Sequence, residues 1–424
     1  METIVMCASL VAFVLFGKKL RREWSSPIYL SGVFWIFYTL ISYIFMHDSY
    51  LFSMLGIVWI NVAFWIMIFA ENFGAKCAKK GGYLVRNTFD LSNQSWLYLK
   101  VCCVLGLVAF LYQISLYGFN LSNFTSLDSL ASMNNAVAVS RYSGNSTVNG
   151  LSQILLIFVY ASPACGGFAF IYAEKATQKL WAAITMLPSV LMVLFTNTKA
   201  VLIGATIIWI STYLISYFLK HKHAPVIKLK HFLVVLGILV AFFGFLFFSM
   251  ILRMGEISSR TIGVAQRKLS IYAFGSVQSF DWWCANAYDA DFKFGTSTYL
   301  GIANILGLAK KTQGVYSSFL GTSSNVFTAF RGIIEDFGFL LGILYLSTKA
   351  MMGGWCFDKL RYSERLPVFS VVFLMAEMFF LFFGAFVSPW TYMSYILTVV
   401  LFFGYLLVAS GRNIRIVFGR KVLL

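Results

Sequence analysis

An all-α, polytopic membrane protein is the fold class this sequence predicts, and three observations predict it. Hydrophobic residues make up 59% of the 424-residue chain and charged residues only 12%, against roughly 25% charged in soluble domains. Apolar runs near the ~20 residues that a spanning helix needs recur along the whole length. Between them, strongly basic segments alternate with segments poor in Lys and Arg, the bias that orients helical membrane proteins. The formal net charge of +17 would suggest nucleic acid in a soluble chain. Here basic loops account for it, so the partner it implies is the lipid bilayer and no nucleic acid is expected.

The apolar runs read as about eleven spanning helices, near 3–16, 27–46, 50–70, 98–118, 149–173, 180–196, 199–219, 232–252, 333–351, 367–387 and 390–410. The first is short. Glu2 precedes it, while Lys18, Lys19, Arg21 and Arg22 follow it. That is the reverse of a signal peptide's charge order, so an uncleaved helix with its N-terminus outside is expected. Further basic clusters follow at Lys76–Arg86, Lys175 and Lys179, Lys220–Lys230, Lys349–Arg365 and Arg412–Lys421. All of these fall on the inner side if the C-terminus is cytoplasmic. The turns at 47–49 and 388–389 hold no Lys or Arg, as outer turns should. The expected location is the bacterial cytoplasmic (inner) membrane.

Three regions result: a membrane bundle at 1–252 of about eight helices with an outer loop at 119–148, a long outer loop at 253–332, and C-terminal helices with a cytoplasmic tail at 333–424. Of the seven cysteines only Cys284 lies in the long outer segment, so no disulfide framework is implied. No internal repeat or two-halves symmetry is visible, which counts against a transporter built from repeats.

The outer basic residues break the charge bias and so need another reason to be there. They are Arg141, Lys199, Arg253, Arg260, Arg267, Lys268, Lys293, Lys310, Lys311 and Arg331. Arg253, Arg260 and Arg267 recur every seven residues, a spacing that keeps them on one helical stripe. Guanidinium groups suit phosphate because they stay charged and donate two parallel hydrogen bonds. Such a stripe could hold a lipid-linked pyrophosphate or merely anchor to headgroups, and Gly255 and Gly263 weaken the helix. Arg141 and Lys199 read equally as interfacial side chains that reach up to water.

Arg331, Glu335 and Asp336 stand together where the chain leaves the polar segment for an apolar run, a costly placement that in membrane proteins tends to mark a site. Either carboxylate could take a proton from a hydroxyl, or simply pair with Arg331. Asp281 and Trp282 belong to an aromatic and acidic cluster, Phe280-Asp281-Trp282-Trp283 with Tyr288, that suits a sugar or an interfacial belt. Asp289-Ala290-Asp291 has an Asp-x-Asp form, but acids at that spacing are common and no metal is expected. Thr296 to Lys311 reads as a short amphipathic piece lying on the membrane. Glu377, mid-helix, is a buried acid with either a site role or a partner on another helix.

At these residues the sequence resembles the Wzy-type oligosaccharide repeat-unit polymerases of O-antigen and capsule pathways. Asn325-Val326-Phe327-Thr328, Arg331 and Glu335-Asp336-Phe337-Gly338 look like that family's Asn-x-[Tyr/Phe]-Thr…Arg…Asp-Phe-Gly signature. Phe294-Gly295-Thr296-Ser297-Thr298-Tyr299 and Tyr272…Gly275-Ser276…Phe280 support it. Thr198-Lys199-Ala200 is similar to a Gly-Thr-Arg segment of the family, with lysine where the arginine belongs. The motif match runs over the C-terminal half, and the N-terminal part matches only in hydropathy.

The resemblance implies a GT-C-like membrane glycosyltransferase without a cofactor. Its donor and acceptor would be undecaprenyl-pyrophosphate-linked glycans, and a chain-length regulator and a flippase would be its partners. It implies Arg331, Arg253, Arg260 and Arg141 on pyrophosphate and Asp336 or Glu335 as base, with Lys199, Arg267, Asp281, Trp282 and Asn325 lining the substrate site. An O-antigen ligase and a lipid-linked oligosaccharide flippase are the alternative readings, and a non-catalytic scaffold would leave the outer arginines unexplained.

Overall fold

The structure, a computed structural model, describes residues 1–21, 23–47, 52–78, 89–120, 126–142, 149–196, 198–226, 228–252, 259–289, 291–310, 317–319, 322–324, 326–363 and 365–411. The chain is helical nearly throughout. In order come α1 (Glu2–Arg21), α2 (Pro27–Met46), α3 (Leu55–Ala78), α4 (Asn93–Leu116), α5 (Leu127–Tyr142), α6 (Gly150–Phe170), α7 (Ala176–Ile184) and α8 (Leu187–Thr196). They are followed by α9 (Lys199–His221), α10 (Leu229–Leu252), α11 (Ser259–Asn286) and α12 (Leu300–Ile305). A small antiparallel hairpin, β1 (Ser317–Phe319) with β2 (Thr322–Ser324), precedes α13 (Ala329–Tyr362), α14 (Val368–Phe383) and α15 (Met393–Ala409).

Among the described residues, seven helical stretches are long and apolar enough to cross a membrane: α1, α2, α3, α4, α6, the run Ala176–Thr196 through α7 and α8, and α9. Val240–Ile251 within α10, α14 and α15 are apolar but shorter. The stretch read as one helix at 180–196 is bent, because the Thr185 hydroxyl bonds back to the Ala182 carbonyl (2.6 Å) and α8 restarts with Pro188 in its first turn.

Both expected loops contain helix. The region 119–148 contains α5. The region 253–332 contains α11, a 28-residue helix that packs on α2, α3 and α10. It is therefore part of the bundle and not a free loop. α11 runs straight through Gly263, because a single glycine costs a helix only about 1 kcal/mol. The amphipathic piece is helical only at Leu300–Ile305, with Ile305, Leu306 and Leu308 exposed.

α3 and α13 pack closely along their length. A Cβ at Gly74 would collide with the Met351 carbonyl, and one at Gly354 with the Glu71 carbonyl. Small residues on both helices thus let the backbones touch, a device that brings packed helices into close contact.

Polar side chains gather at the two ends of the bundle. At one end Arg21 forms an ion pair with Glu71 (3.2 Å) and donates to Asp358 (3.1 Å), Arg361 donates to Glu23 (3.2 Å), and the Lys222 ammonium donates to the Leu360 carbonyl (2.6 Å). These residues come from segments that the charge pattern groups on one side. At the other end, the start of α3 meets the end of α11 and the start of α13. The candidate site lies there.

Candidate functional site

The chain entering α13 is pinned before the helix starts. The Phe327 amide donates to the Phe386 carbonyl (2.9 Å) and the Ala329 amide to the Gly384 carbonyl (2.7 Å), which fixes this segment to the turn after α14. Phe330 then points inward, its ring 4.6, 5.5 and 6.1 Å from those of Trp35, Trp59 and Phe64. One helical step carries Arg331 away from that core to the rim. Its Nε donates to Glu335 Oε1 at 2.9 Å, one turn on, and its guanidinium lies 4.8 Å from the centre of the Phe327 ring and 5.2 Å from that of Trp283.

Lys293 approaches the same carboxylate from the other side, 3.4 Å from Glu335 Oε2. Two cations therefore share one anion, and the cluster is net positive. The Arg331 side chain is 19% exposed and that of Lys293 50%, so a ligand can reach both. Glu335 lies ahead of the break in α13, outside the seven spans. Burial pushes its carboxyl up. The Arg331 guanidinium, by charge and hydrogen bond, together with Ser297 and Lys293, outweighs that and holds it below the ordinary glutamate value. Aromatic faces on the guanidinium add a cation–π attraction of order 0.5–2 kcal/mol. The ring planes also fix its orientation.

Asp336, the neighbouring acid, does a different job. It is fully buried, and its two oxygens accept from the Ser297 amide (3.0 Å) and the Thr298 amide (2.7 Å). Two steps on, α13 breaks at Gly338 (φ 72°, ψ 177°), a conformation essentially open only to glycine. A Cβ there would also lie 2.9 Å from Phe292 Cε1. The break leaves carbonyls that a continuous helix would satisfy. The Glu335 carbonyl instead accepts from the Lys293 amide (3.0 Å) and the Asp336 carbonyl from the Phe294 amide (3.3 Å). The Asp-Phe-Gly piece is thus what ties residues 293–298 to α13 and sets Lys293 beside Glu335.

Asp281 is likewise buried, and it caps α3 from another helix. Its carboxylate accepts from the Ser53 amide (2.7 Å), the Ser53 hydroxyl (2.9 Å) and the Gly56 amide (2.9 Å). An acid at a helix N-terminus satisfies free amides and meets the positive end of the dipole. Both Asp281 and Asp336, expected as site residues, thus have their carboxylates bonded to backbone amides in the fold. Trp282 is half-buried, whereas Trp283 is the indole that meets Arg331.

The remaining expected residues are not gathered here. Arg253 and Asn325 lie outside the described residues. Arg260 and Arg267 do fall two turns apart on α11, and Arg141 ends α5; their side chains are outside the described set. Lys199 opens α9 with Thr198 before it. The Asp289 carboxylate accepts from the Asp291 amide (3.3 Å). Among the described residues no group of three or more His, Cys, Asp or Glu side chains could hold a metal.

The role of Lys293 was visible only as an outer cation that broke the charge bias. Trp283 had a helical signal, since it lies three residues after the buried Phe280, against which it stacks at 6.3 Å. Neither signal says that the two converge on Arg331. Family models, curated proteins and solved structures were compared with the chain, and none matches it.

Proposed function

We propose that this chain is a membrane glycosyltransferase of the Wzy polymerase kind. It extends a glycan carried on polyprenyl pyrophosphate by single lipid-linked repeat units at the outer face of the cytoplasmic membrane. The observation that carries the reading is the Arg331–Glu335–Lys293 cluster, net positive and faced by Trp283 and Phe327, at the bundle end away from the basic segments. The finer architecture, about eleven spans in a GT-C-like frame with the N-terminus outside and the C-terminus cytoplasmic, belongs to the same proposal. So do a chain-length regulator and a flippase as partners.

The chemistry asks for what these residues supply. On the outer side of that membrane no nucleotide-sugar pool exists, so the donor arrives activated on lipid. As the bond from sugar C1 to pyrophosphate oxygen breaks, charge builds on the leaving group. Arg331 and Lys293 neutralise it, and a guanidinium held in place before the reaction does so without reorganising. The acceptor hydroxyl bonds to C1 and gives up its proton to a carboxylate. Glu335 is the carboxylate at the rim, so it takes this role ahead of Asp336. Its lowered pKa makes it a weak base in the resting site. Its first task is to aim Arg331, and it gains proton affinity once pyrophosphate draws the guanidinium away. Trp283 and Phe327 hold the guanidinium between their rings and so keep it aimed.

A surface-polysaccharide gel from cells lacking the protein, complemented with wild type or Arg331→Ala, tests this. The expected result is loss of the ladder with the single-unit band kept, restored by wild type alone. Loss of both ladder and single-unit band would indicate a ligase or a flippase and would overturn the proposal.

A further inference from the structure

A second polar site lies within the bundle, away from the arginine cluster. Glu377, near the middle of α14, is 2% exposed, and neither of its carboxylate oxygens has a hydrogen-bond partner. Lys349, which the charge pattern assigned to an inner segment, instead lies well inside α13. Its ammonium sits 4.2 Å over the Phe380 ring and 5.7 Å from that of Tyr345 rather than bonding Glu377. One turn on, Gly353 makes room for the acid, since a Cβ there would strike the carboxylate. The fold thus keeps an acid and an ammonium beside each other, both facing one cavity, with the acid unsatisfied. Leaving such a group buried costs several kcal/mol unless something bonds to it.

The cavity has a volume of about 300 Å³ and lies between α13, α14, α15 and the start of α12. Apart from Lys349 and Glu377 its wall is apolar or aromatic, with Tyr299 and Trp390 among the lining residues. Ile302 and Val400 also line it and are 38% and 58% exposed, so it opens sideways through the surface of the bundle. At ~30 Å³ per water-sized group it has room for roughly ten such groups. A medium-length hydrocarbon chain fits.

We infer that this cavity is a binding site for an apolar alcohol that enters from the lipid side, with its hydroxyl between Lys349 and Glu377 and its chain along the apolar wall. The selection follows from hydrogen-bond roles. A hydroxyl accepts from the ammonium and donates to the carboxylate at once. A protonated amine only donates and would meet the Lys349 charge. A phosphate or carboxylate only accepts and would meet Glu377. An alkane satisfies neither group. The site does not depend on the glycosyltransferase reading.

Trp390 in the wall provides the test. In detergent-solubilised protein, 11-bromoundecan-1-ol is expected to quench the fluorescence that is lost in Trp390→Phe, with half-quenching at about tenfold lower concentration than 1-bromoundecane, one net hydrogen bond's worth. A Glu377→Met/Lys349→Met double variant keeps the volume, and the two probes should then quench alike. Val400→Trp, at the exposed mouth, should block both. Equal quenching by the two probes in the wild type, or no quenching of Trp390 by either, would overturn the inference. A preference for the alcohol that survives in the double variant would overturn it too.

Discussion

Two adjacent acids in one sequence motif have opposite duties. Glu335 faces two cations at the rim, and Asp336, one residue on, turns inward to two backbone amides. Their substitutions should separate. Glu335→Gln keeps the shape and should lower polymer output at least tenfold, by loosening the aim of Arg331, with a smaller loss of thermal stability than Asp336→Ala. Asp336→Ala orphans two amides at roughly 1–3 kcal/mol each, so it should lower thermal stability as well as activity. Arg331→Lys keeps the charge but loses the planar fork and its stacking on Trp283 and Phe327, and should leave less than a tenth of the ladder. The pH sign also follows from geometry. The Glu335 pKa is lowered in the folded protein. Its pairing therefore contributes full stability above the ordinary glutamate pKa, and that contribution fades as pH falls through the lowered value. Melting curves of wild type and Glu335→Gln should differ near neutral pH and converge in acid.

At the scale of elements, the site depends on a helix that stops and restarts. α13 breaks at Gly338, and the freed carbonyls capture residues 293 and 294. Gly338→Ala forces a side chain into a backbone region that costs of order 1–3 kcal/mol and pushes on Phe292. It should reduce both melting temperature and polymer output although residue 338 touches no charged group of the cluster. The α3–α13 contact is the other dependency. Gly354→Val would drive the helices apart at the Glu71 carbonyl and so misplace the start of α13. The expected readout is loss of folded protein in a detergent thermal-shift assay.

Ion pairs of the described residues gather at two ends of the bundle, while Glu377 and Lys349 lie between them. Arg21, Glu71 and Asp358 lock one end together. Arg21→Ala would leave Glu71 buried without its cation, with only the Ser26 hydroxyl and the Ile28 amide bonding it, and should lower stability by about 3–5 kcal/mol. The double variant Arg21→Met/Glu71→Met, which removes both charges, should recover most of that stability. The orientation is checked by cysteine labelling in a variant without the seven native thiols. Phe294→Cys should react with an impermeant reagent in whole cells, and Lys19→Cys only after permeabilisation. The reverse pattern would invert the topology.

Composition and apolar run length determined that the chain is a helical membrane protein, because a bilayer admits little else for such runs. The charge alternation also marked which loops belong together, and Arg21, Lys222 and Arg361 do meet at one end. The motif around Arg331 was legible as a concentration of charge at a membrane edge. Its internal division of labour was not. Asp281 and Asp336 read as site residues because an acid in sequence carries no record of the amides it will meet. Those amides lie 39 residues away for Asp336 and 228 for the Ser53 contact of Asp281. The spacing of Arg260 and Arg267 marked a helix in 253–332, but the low hydropathy of α11 hid that it packs on α2 and α3. The tertiary structure alone decided that Lys293 and Trp283 converge on Arg331, and that Lys349 and Glu377 share a cavity. Such convergence depends on how helices cross, which sequence spacing on any one helix does not encode.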